Sequence, residues 1–135
     1  ISKYTYTHKS HTNSYTLQDT FLLAHDLGTD ADGIYLTLRY FLPLPLIVTL
    51  TGEYTRKGEG RIDVPWEDTA EYFSDPFPSG TVEHRKTLWL QFDWNPLGDW
   101  EVILDGKYTR FKNMNNVLGR DRDAFSVSLS ARYRI

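Results

Sequence analysis

The last stretch of the chain constrains its fold most. From Phe125 to Ile135 every odd position is apolar or aromatic: Phe125, Val127, Leu129, Ala131, Tyr133 and Ile135. Every even position is polar: Ser126, Ser128, Ser130, Arg132 and Arg134. Period two over eleven residues specifies a β-strand with one apolar and one polar face. The same alternation recurs upstream. Ile34, Leu36, Leu38, Tyr40 and Leu42 share one face of a strand, as do Leu46, Val48, Leu50, Gly52 and Tyr54. Leu88, Leu90, Phe92 and Trp94 form a third such face, and Trp100, Val102, Leu104, Gly106 and Tyr108 a fourth. The opening residues "ISKYTYT" read as a fragment of one more strand.

The connections alternate in length. "PLP" at 43–45 and "NPLGD" at 95–99 are tight turns built from Pro, Asn, Gly and Asp. Residues 8–33, 58–81 and 112–122 read as long, polar and irregular, with room for one helical turn in "PWEDTAEYF". Short and long connections in alternation predict an antiparallel meander whose long loops share one end. No helix with a 3.6-residue period is expected.

An amphipathic meander has two solutions. A soluble sandwich or barrel turns the apolar face inward. A transmembrane barrel turns it toward lipid and lines its lumen with the polar face. Aromatics make up 15% of the 135 residues, and their placement favours the second. Trp94 and Trp100 flank the 95–99 turn, with Tyr40 and Tyr133 near the same ends of their strands. Tyr54, Tyr108 and Phe125 lie toward the long loops, so two aromatic belts bracket Val and Leu as at two membrane interfaces. His84 and Lys86 share the apolar parity but precede Leu88, which places them at or above the rim.

The polar face carries Arg39, Glu53, Arg85, Asp93, Glu101, Asp105, Lys107, Arg132 and Arg134 as lumen charges. Counting outward from the 95–99 turn sets Asp93 beside Glu101, a like-charge pair that Arg132 and Arg134 on the final strand can neutralise. No apolar run reaches the ~18 residues of a membrane helix. A net charge of -3 argues against nucleic acid, which selects a clustered basic surface. The absence of Cys removes disulfide and thiolate chemistry.

The terminal "FSVSLSARYRI" resembles the signal that ends outer-membrane barrels and is read by their assembly machinery, with Ile135 in place of the usual Phe or Trp. The expectation is therefore all-β: residues 1–135 as a single piece, the C-terminal strands of a larger outer-membrane barrel. Five or six strands fall short of the roughly eight that closure requires, and an open edge in lipid leaves backbone groups unsatisfied.

A second resemblance lies in residues 4–36. Tyr-x-His, a Tyr-Thr, and the block Ala24, His25, Asp26, Leu27, Gly28, Thr29, Asp30, Ala31, Asp32 precede a strand. This order resembles the capsule-assembly (Wzi-type) outer-membrane family, with its "GHxLGPDAD"-like element; Ala24 and Thr29 depart from that element. The resemblance marks His25, Gly28, Asp30 and Asp32 as a family-motif loop. It implies a monomeric barrel in the bacterial outer membrane, not an enzyme, that binds or organises capsular-type polysaccharide. The expected partners are outer-membrane lipid and lipopolysaccharide, surface polysaccharide, and the assembly machinery through the C-terminal strand.

Other chemistries fare worse. Read as an EF-hand, the Asp30–Asp32–Gly33 stretch puts Gly28 at position 1 and Arg39 at position 12, where carboxylates belong. His8 and His11 lack a third ligand. No metal, cofactor or catalytic residue is expected. In loop 58–81, Trp66, Tyr72 and Phe73 offer stacking faces for sugar rings, and Asp68 and Glu71 offer acceptors for their hydroxyls. The alternative is a loop that packs these aromatics on itself. With loops 58–81 and 112–122 extracellular, three functions stay open: polysaccharide binding, a porin or transporter passing small solutes, and an enzyme with its site on the rim.

Overall fold

The computed structural model describes residues 16–17, 21–22, 27–60, 76–96 and 98–133. Among them are seven strands: β1 (Thr16–Leu17), β2 (Phe21–Leu22), β3 (Ala31–Phe41), β4 (Leu46–Lys57), β5 (Glu83–Trp94), β6 (Trp100–Lys112) and β7 (Arg122–Tyr133). β1 and β2 pair as a two-residue ladder, and β3 to β7 form one antiparallel sheet in sequence order. The fold is all-β, with one turn of 3-10 helix at Met114–Asn116. Among the described residues the sheet is open, with β3 and β7 as its edges.

The alternation located the strands because each needs only one wettable face. Two starts differ from the pattern. β3 begins at Ala31, three residues before the apolar alternation opens at Ile34, and β7 at Arg122, three before Phe125. Charged cross-strand pairs carry the ladder past the apolar stretch in both places. Asp32 meets Arg56, and Arg110 lies opposite Asp123. Residues 8–33, expected to be irregular, contain the β1–β2 ladder.

Two compact units make up the chain. One comprises Ile34–Tyr54, Arg85–Phe111 and Asp121–Ile135 and holds the amphipathic lengths of the strands. Here the apolar face has no cover. Ile34 is 71% exposed and Leu129 70%. Leu36, Leu38, Tyr40, Leu88, Leu90, Trp94, Trp100, Leu104, Tyr108, Phe125, Val127 and Tyr133 are exposed as well. Trp100 and Tyr133 pair directly across β6 and β7, their rings 5.1 Å apart and tilted by 47°. The described buried residues of this unit are the threonines Thr87 and Thr109, whose hydroxyls lie 3.3 Å apart.

The other unit comprises Ile1–Gly33, Thr55–His84 and Lys112–Arg120. Its described buried residues are Thr29, Asp30, Ala31, Thr55, Gly58, Pro78, Ser79 and Asn113. Ala31 is the sole buried hydrophobic residue among those described. A protein that exposes its leucines and buries its threonines and an aspartate inverts the water-soluble pattern.

Candidate functional site

The most tightly built feature is a latch around Asp30. This residue is 1% exposed and adopts φ 55° in the left-handed region, which Asp tolerates better than most side chains. Its carboxylate accepts the backbone N–H of Ser79 (3.1 Å to each oxygen) and the Ser79 hydroxyl (2.6 Å to Oδ2). The backbone N–H of Gly60 donates to Oδ2 at 2.9 Å. The Asp30 carbonyl accepts Gly58 N–H at 2.8 Å, and the neighbouring Thr29 hydroxyl donates to Gly60 O at 3.1 Å. A buried carboxyl group is tolerated only when its lone pairs are filled by such donors.

Gly58 is required by this crowding. A Cβ there would lie 2.1 Å from Asp30 Oδ2 and 2.6 Å from both Ser79 N and Ser79 O. The 58–60 segment is therefore held between 29–30 and 79–81, where Glu59 N–H donates to Ser79 O (3.0 Å) and Thr81 N–H to Glu59 Oε1 (3.0 Å). These contacts fix the two stems of the 58–81 loop.

Asparagines fix the 113–121 connection within the same unit. Asn113, Asn115 and Asn116 all have positive φ, the conformation that Asn adopts most readily after Gly. Asn116 Nδ2 donates to Lys57 O (2.9 Å) and Thr81 O (2.7 Å), and Asn113 Nδ2 to Val82 O (3.1 Å). Asn113 Oδ1 accepts Gly119 N–H at 3.0 Å, and Glu83 Oε2 accepts Asn115 N–H at 2.6 Å. The loop is thus tied to the end of β4 and the start of β5. Within this unit Arg56 also forms a two-point pair with Asp32, Nε–Oδ1 2.9 Å and Nη2–Oδ2 2.5 Å.

In the strand unit, the structure brings several of the predicted lumen charges together. Glu53 accepts from Arg85 Nη2, while Arg85 Nε is buried with no partner among the described residues. Glu101 lies opposite Arg132 across β6 and β7, with Oε2 3.9 Å from Nη1. Asp105 accepts from the hydroxyl of Ser128, which faces it in the ladder. Asp93 and Glu101 line one cavity of about 300 Å³ with Phe41, Leu44, Ile47 and Asn95. Arg39 on β3 and Lys107 on β6 stand at the same strand parity as these charges.

Trp66, Asp68, Glu71, Tyr72, Phe73, His25 and Arg134 lie outside the described residues. Gly28, with φ 74°, precedes the Asp30 latch, and a Cβ there would meet open space. No group of three or more His, Cys, Asp or Glu that could hold a metal occurs among the described residues. Sequence reasoning does not find Ser79, Gly58 or Asn116 as partners, since each bonds to residues remote in the chain. The one local signal is the Asn-rich "NMNN" run, which suits left-handed backbone.

No curated protein and no solved structure matches the chain. The family described as capsule assembly protein Wzi matches residues 1–125, which takes in the Asp30 block, the strand wall and the start of β7. The chain belongs to the capsule assembly protein Wzi family.

Proposed function

We propose that this chain forms part of the wall of an outer-membrane β-barrel that binds or organises capsular-type polysaccharide at the cell surface. The observation that carries the reading is the inverted burial. Exposed leucines and aromatics line one face of the sheet while threonines and an aspartate are buried. Apolar side chains on that scale cannot face water stably, and lipid is the solvent that suits them. Membership of a capsule-assembly family supplies the direction of the function. Two sheet edges call for further strands, because lipid leaves an open edge unsatisfied.

In this reading the loop-bearing strand ends face outward, and the Asp30 latch presents the 58–81 loop to a polymer. Trp66, Tyr72 and Phe73 stack on sugar rings, and Asp68 and Glu71 accept hydroxyl hydrogens. The test replaces Trp66 and Tyr72 by Ala and measures capsule retained per cell, with heat-modifiable gel mobility as the folding control. Reduced retention with normal mobility supports the loop as the contact. Unchanged retention in a folded double variant removes the loop from the site; ion conductance through the reconstituted protein would then favour a porin.

A further inference from the structure

The outward face of the sheet changes character along β5 and β6. β5 presents Trp94, Phe92, Leu90 and Leu88 and then turns cationic at Lys86; β6 presents Trp100, Val102, Leu104 and Tyr108 and then Arg110. Thr87 and Thr109 meet across the two strands on the opposite face at 3.3 Å. Their chain neighbours Lys86 and Arg110 therefore project side by side from the apolar face. Each stands two residues, roughly 7 Å, beyond the last apolar side chain of its strand.

Among the described residues neither cation is neutralised at close range. Lys86 is exposed, and its Nζ lies 5.6 Å from the centre of the Tyr54 ring. Arg110 Nε stands 3.9 Å from Asp123 Oδ1, with the two side chains 63% and 59% exposed. A pair that long and that exposed holds little energy. Snorkelling toward water explains a lone lysine at such a border. Two cations side by side, just past an aromatic row of Tyr54, Tyr108 and Phe125, gather positive charge at one point of that border.

We propose that Lys86 and Arg110 bind the phosphate of a phosphorylated lipid whose acyl chains lie along the apolar face of β5 and β6. The proposal rests on the membrane reading above. The guanidinium offers a planar fork to two phosphate oxygens and the ammonium a mobile point charge. The exposed leucines next to them receive the acyl chains, so the headgroup and the chains are recognised by one continuous surface.

The test inserts the full-length protein into neutral phosphatidylcholine vesicles doped with phosphatidic acid and counts retained phosphatidic acid by native mass spectrometry. Lys86→Gln with Arg110→Gln should weaken retention by about fivefold for each cation removed, while Lys86→Arg with Arg110→Lys should retain it. Equal retention by wild type and the glutamine variant, both inserted, overturns the phosphate site and leaves the barrel reading standing. Competition by inorganic phosphate at the lipid's bulk concentration would overturn the lipid as occupant. Failure of both proteins to insert into neutral vesicles would instead overturn the membrane reading, and this site with it.

Discussion

The two units obey opposite rules of assembly. In the unit of Ile34–Tyr54, Arg85–Phe111 and Asp121–Ile135, side chains sort by solvent: period two decides which face each residue occupies, and the apolar face stays uncovered. In the unit containing Asp30, Ser79 and Asn116, side chains sort by partner. A single carboxylate takes four hydrogen-bond contacts from two residues distant in sequence. The first kind of order tolerates any residue of the right polarity. The second tolerates almost no change, because a buried polar group that loses its partner retains its full desolvation penalty.

That contrast can be broken by mutation, and the largest effect should come from the latch. Asp30→Ala leaves Ser79 and Gly60 donors unpaired and puts Ala, which tolerates positive φ less well than Asp, into the left-handed region, at a cost of about 3–5 kcal/mol. Urea titration in lipid vesicles should show the loss, and limited proteolysis should show new cleavage near 58–60 and 79–81. A loss below ~1 kcal/mol would mean that the latch is ornamental.

Next in size is a test of the strand face. Leu90→Arg should destabilise the inserted protein by ~2–4 kcal/mol and Gln91→Arg, one residue along on the other face, far less. Equal effects in the same vesicle titration would reverse the assignment of faces.

Asn116 sharpens the difference between partner and conformation. Asn116→Ala removes two carbonyl contacts and strains a backbone at φ 59°, for about 2–3 kcal/mol together. Asn116→Gly relieves the strain and should recover about 1 kcal/mol of it. If both variants unfold at the same urea concentration, backbone strain contributes nothing at this position.

The smallest effect belongs to the exposed charge pair. Asp123→Asn should change stability by no more than ~0.5 kcal/mol, since Arg110 and Asp123 are well solvated and 3.9 Å apart. A measurably larger effect in the same titration would mean that this border is drier than its exposure implies.

What the sequence determined by itself is the strand wall. Alternation is a local property, so the positions of β4 through β7, the two tight turns and the shared parity of the polar-face charges were readable from neighbours two residues apart. The placing of Arg132 near Glu101 was readable as well, whereas their direct opposition across β6 and β7 came from the register of the sheet. What only the tertiary structure decided is the latch. The motif block containing Asp30 announced a loop, and Asp at a turn usually serves its own backbone. Here it serves Gly60 and Ser79, 30 and 49 positions away. Asn116 likewise reaches Lys57 across 59. A side chain's polarity is written in its identity, but a hydrogen-bond partner is chosen by where antiparallel pairing brings remote backbone together. No local period carries that information.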